Sequence, residues 1–184
     1  MAKQLTAEDA KQSLTTHVET KGIEVFSKYG PQLDWSALQR LLDDRVYVRY
    51  PIEIAFDDTP LLPGEFATPV QKGDMPEDGF TMAVHPMFAT QPQLVPALVL
   101  YQLVAVNYGV FASCEDAETF GAAALGLTRD EYYSLICDAA DQLGANVPTD
   151  IVGTPLDYEQ VGNGCGSSGD DIGGCGGGCS CGGH

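Results

Sequence analysis

Basic residues are what this chain has least of. Nine Lys and Arg stand against 26 Asp and Glu, giving a formal charge of −17 and a pI near 4.1. A nucleic-acid ligand needs a basic stripe to neutralise its phosphates, and the nine cations never cluster along the chain, so nucleic acid is excluded as a partner. Binding to an anionic membrane surface is excluded for the same reason. Histidine is scarcer still: the chain has three, too few for any defensible Ser/His/Asp arrangement. Long apolar runs are also missing. The longest, from Val95 to Val106, is interrupted by Gln102 and falls short of the ~20 residues of a membrane span. The first residues, MAKQLTAEDAKQ, lack the apolar core of a secretory signal. No phosphate-binding glycine loop follows a strand. These absences point to a soluble cytoplasmic protein, in a compartment where thiols stay reduced.

Cysteine and glycine, by contrast, are concentrated in one place. The segment from Gly162 to His184 reads GNGCGSSGDDIGGCGGGCSCGGH and carries four of the six cysteines. Ile172 is its one large apolar side chain, so burial cannot offset the entropy of ordering it, and a disordered tail is expected. Cys175, Cys179, Cys181 and His184 place three thiols and an imidazole within ten residues, and Cys165 offers a further thiolate. Glycine between them lets the backbone wrap a single ion. Thiolate-rich sets select Zn, Cu(I) or an iron–sulfur cluster. The spacing is neither the paired C-x2-C of zinc ribbons nor a ferredoxin run, so it points to a metal without naming one. The tail also resembles, in composition, the core regions of ribosomally made peptides whose Cys and Ser are enzymatically converted to heterocycles or thioethers. That resemblance implies that residues 1–161 are a large leader.

The rest of the chain reads as one α+β domain over residues 1–144, followed by an acidic, Pro-containing linker at 145–161 and the tail at 162–184. Leu5 to Tyr29 is predicted helical, with Thr6 and Asp9 as a capping box and Gly30-Pro31 as the stop. Asp34 caps a short helix that turns Trp35, Leu38, Leu41 and Leu42 inward. From Val46 to Phe56 apolar residues alternate strictly, which predicts a long strand; Pro51 makes it an edge or a bulge. Residues 57–79 form a long Pro/Gly/acidic connection, and Phe80 to Val84 is a second strand. Pro96 opens a helix that is apolar nearly all round and ends at Gly109, so it is central. Ser113 with Asp116, and Thr128 with Glu131, cap two further helices that end at Gly126 and Gly144. They are expected to pair with Phe120, Leu125, Tyr133, Ile136 and Leu143 inward. The expected architecture is a small, mainly antiparallel sheet packed on this helical layer.

Chemistry in the folded part is sparse. His85 with Glu65 and Glu53 offers a metal or acid–base site if the fold joins them, although a His before Pro is more often structural. His17 is expected at the surface. Cys114 opens a helix, where its pKa would fall, and Cys137 reads as a small core residue. The order strand, loop, strand and helix ending at Gly109 loosely resembles that of small zinc peptidases, whose helix carries H-E-x-x-H followed by x-x-G. Aligned on Gly109, the His, Glu and His positions hold Gln102, Leu103 and Val106, so the resemblance implies no hydrolytic site.

The reading that best unites these features is a small metal-handling protein. Its tail carries the ion and its folded domain docks on a protein partner, either a metal acceptor or a modifying enzyme. A modified precursor and a non-catalytic subunit of an enzyme complex are the alternatives, together with an enzyme built on Glu65 and His85.

Overall fold

The computed structural model describes residues 7–144. The expected linker and Cys-rich tail, residues 145–184, lie outside the described residues, as does the Thr6 cap. The described residues form an α+β fold of five α-helices and one three-stranded sheet. The helices are α1 (Ala7–Tyr29), α2 (Trp35–Leu42), α3 (Val95–Tyr108), α4 (Cys114–Leu125) and α5 (Arg129–Gly144). The strands are β1 (Ile52–Phe56), β2 (Ala67–Gln71) and β3 (Phe80–Val84), in the order β1-β3-β2. β2 pairs antiparallel with β3, as expected for this sheet, whereas β1 pairs parallel, so the sheet is mixed. No helix among the described residues is long and apolar enough to cross a membrane.

The caps fall where the side chains require. Asp34 accepts from the Ala37 amide at 2.7 Å and starts α2. Ser113 and Asp116 exchange reciprocal bonds at the start of α4, and Thr128 and Glu131 do the same for α5. α3 is central, its buried residues covering nearly every face from Val95 to Asn107. It is covered by the sheet on one side and by α4 and α5 on the other.

α4 is the packing hub of the helical layer. Its sequence CEDAETFGAAAL is dominated by small residues, and small residues let backbones approach. α1 crosses it closely at Gly22, where an added Cβ would lie 2.6 Å from Ala123 Cβ and 2.7 Å from the Phe120 carbonyl. On another face, Gly121 leaves room for the Tyr132 ring, which an added Cβ would overlap at 2.1 Å. Through that gap the buried Tyr132 hydroxyl donates to the Ala97 carbonyl at 2.7 Å, joining α5 to α3 past α4. Burial pushes this phenol well above its usual pKa, so it stays a neutral donor.

Three expectations are corrected. The long strand is only Ile52–Phe56. Before it, the Asp44 carbonyl accepts from the Tyr47 and Val48 amides and its carboxylate from the Val46 amide, which winds the chain into a turn. The buried Asn107 then fixes that turn, accepting from the Arg49 amide at 2.9 Å and donating to the Tyr47 carbonyl at 2.8 Å. Val46 is consequently exposed and Val48 buried, without a ladder. Second, Trp35 does not enter the core; it stacks on Phe56 at the surface, 6.1 Å between centroids. Third, Tyr132 and not Tyr133 faces inward on α5.

Two outcomes follow for urea unfolding. Gly121→Ala should cost about 1–3 kcal/mol by overpacking against Tyr132, whereas Tyr132→Phe, which keeps the ring, should cost about 1 kcal/mol. At the turn, hydrogen bonds from Lys28, the Val46 amide and Tyr29 lower the Asp44 pKa from 3.8 to about 2. That stabilisation is present above the unfolded value and is lost as pH falls through the folded one. Asp44→Asn should therefore cost about 1 kcal/mol at pH 7, and the gap from wild type should close between pH 4 and pH 2. A pH-independent gap would show that the Asp44 charge is not what matters.

Candidate functional site

The thiol set read from the sequence, Cys165, Cys175, Cys179, Cys181 and His184, lies outside the described residues. Within the folded body the remaining candidates do not come together. His85 begins the 3-10 turn Pro86–Thr90: its Nδ1 accepts from the Met87 amide at 3.2 Å and its ring meets Phe88 edge-on. Glu65 accepts from the Leu62 amide at 2.8 Å. Glu53 sits on edge strand β1 and pairs with Lys72 at 2.6 Å. Each is thus used locally, and among the described residues no group of three His, Cys, Asp or Glu side chains is placed to hold a metal. Cys137 is buried in α5 as a small core side chain.

Glu65 does line a cavity of about 190 Å³ where β2, α3 and the start of α4 meet, together with Tyr101, Gln102 and Cys114; His85 does not. The polar side chains here serve the scaffold. Gln102, at the position that the peptidase comparison assigns to a metal-binding His, donates through Nε2 to the Ala67 carbonyl at 2.8 Å. The reason lies in the strand. Bonds from the His85 amide to the Phe66 carbonyl and from the Lys72 amide to the Gly79 carbonyl set the β2–β3 register. In that register Ala67, Pro69 and Gln71 turn their backbone groups to the open edge. Pro69 has no N–H to leave unpaired there, and Gln102 satisfies the Ala67 carbonyl. Pro69 is also why β2 reads as a loop in the sequence.

The structure gathers charges that the sequence disperses. Lys21, Arg45 and Arg49 share one groove with His17 and Tyr108. The signal was present as two spacings of four residues, 17 with 21 and 45 with 49, but the second pair falls in a segment whose alternation reads as a strand.

Comparison with known protein families, with curated proteins and with solved structures gives no match. Replacing Gln102 by Leu keeps the bulk and removes the bond to Ala67. Amide exchange across β2 should then accelerate and stability fall by about 1 kcal/mol; unchanged exchange would mean that Gln102 does not support the edge.

Proposed function

We propose that this chain is a small acidic metal-handling protein of the cytoplasm, which captures an ion on its C-terminal thiols and delivers it to a protein partner. One observation carries the reading. Four thiols and an imidazole fall between positions 165 and 184, while the described residues contain no metal-ligating group of three. Ion capture and folding are thus assigned to different parts of the chain. In the body, the candidate ligands Glu53, Glu65 and His85 already serve an ion pair or backbone amides.

The cargo is Zn, Cu(I) or an iron–sulfur cluster, held by Cys165, Cys175, Cys179, Cys181 and His184. Thiolates must lose their protons to bind, so uptake releases protons and weakens as pH falls. Glycine between the ligands sets few steric limits on how a backbone can wrap an ion and hand it to an acceptor. The folded body supplies the docking surface.

The second reading, a precursor whose tail is the modified product, draws on the same Gly, Ser and Cys composition. One experiment separates them: native mass spectrometry of the full chain isolated anaerobically from its host. An unmodified mass carrying about one ion or cluster is expected, with loss of the metal when the four tail cysteines become Ser and no change in the unfolding midpoint of the folded body. A metal-free tail lighter than its sequence by water or hydrogen would replace this reading with the precursor one.

A further inference from the structure

His17 and Lys21 stand one turn apart on α1, and Arg45 and Arg49 stand four residues apart in the turn before β1. With Tyr47 and with Tyr108 at the end of α3 they line a groove of about 260 Å³ that has no carboxylate in its lining. A chain of net charge −17 with nine Lys and Arg in all thus places three of those nine around one concavity. We propose that this groove binds a small oxyanion, a phosphate or carboxylate group held by Arg45, Arg49 and Lys21.

The two arginines are the strongest argument. Among the described residues neither has a carboxylate partner, whereas Lys21, Lys28, Lys72 and Arg129 each pair with one; Arg40, which also lacks one, bonds to the Ser36 hydroxyl and does not line the groove. A guanidinium offers a planar fork of donors that matches an oxyanion two bonds at a time. Both arginines are also carried on fixed backbone. Asn107 clamps the main chain at Tyr47 and Arg49, and the Arg49 guanidinium lies 5.3 Å from the centre of the Tyr50 ring. Lys21 is braced over the Tyr47 ring at 5.6 Å. Such bracing lowers the ordering cost of binding.

A simpler role for the cations would be to serve the last carbonyls of α3, whose negative end points this way. The bonds do not follow that plan. The backbone carbonyl that Arg45 reaches is Val48, in its own turn, at 3.5 Å. The acidic surface elsewhere repels anions at long range, but physiological salt screens charges beyond about 8 Å, so the local set decides. The described residues that line the groove include no thiol.

The test titrates inorganic phosphate and, separately, citrate into the full chain at constant ionic strength. It follows the His17 ring resonances, assigned with His17→Gln. A saturable shift is expected, and the tighter of the two ions names the oxyanion. Arg45→Gln with Arg49→Gln should weaken binding by about tenfold or more, while Lys72→Gln, a cation on another face, should not. The Asn107 clamp uses the Arg49 amide and not its side chain, so the double variant keeps it. Should that variant nevertheless unfold, Arg49→Gln alone should still weaken binding severalfold. A shift that never saturates, that is reproduced by added sodium chloride, or that the arginine variants leave unchanged would overturn the proposal.

Discussion

The close approach of helices to α4 is the constraint on which the rest of the fold depends. Gly22 brings α1 onto the Ala123 and Phe120 backbone region, and Gly121 opens the gap through which Tyr132 reaches Ala97. Both contacts trade side-chain volume for proximity. Small residues contribute little burial of their own, but they let the larger ones on either side, Val18, Val25, Leu98, Leu103 and Ile136, share a single core. The sheet is secondary to this arrangement. Five-residue strands expose too little apolar face to stand alone, and theirs is closed by α3.

Much of this was legible from the residues. The caps at Asp34, Ser113 and Thr128 are local chemistry, decided within four residues, and each is found in place. The central position of α3 follows from its having no polar face. What sequence periodicity could not resolve was decided at a distance. The alternation from Val46 to Tyr50 is satisfied by burying Val48 in a turn, because Asn107, about sixty positions later, supplies the hydrogen bonds that a neighbouring strand would have given. β2 was hidden because Pro69 signals a loop unless the partner's register is known. Tyr133 and Tyr132 are adjacent and equally apolar, and the choice between them rests on a gap at Gly121. The candidate thiol site was read from composition alone, while the arginine groove emerges only when α1 is laid beside the turn.

The chain thus divides its chemistry unusually. Four of the six thiols fall in the last twenty positions, and in the body several hydrogen-bonding side chains hold the scaffold together: Glu65 on a loop amide, His85 on a turn, Gln102 on a strand edge. Arg45 and Arg49 depart from this: like Arg40 they have no carboxylate partner among the described residues, and the two lie together in one groove beside backbone that Asn107 clamps. In a protein this acidic, leaving them unneutralised has a cost in local repulsion that any number of nearby Asp or Glu substitutions would have relieved.

The treatment of β2 has a consequence for how the protein behaves in crowded solution. A sheet of three short strands is an invitation to extension, since an open ladder templates the same strand from another molecule. Here Pro69 withholds the amide that an incoming strand would need midway along β2, and Gln102 occupies the carbonyl before it. Strand addition at that edge is thus opposed by backbone geometry as well as by the chain's net negative charge.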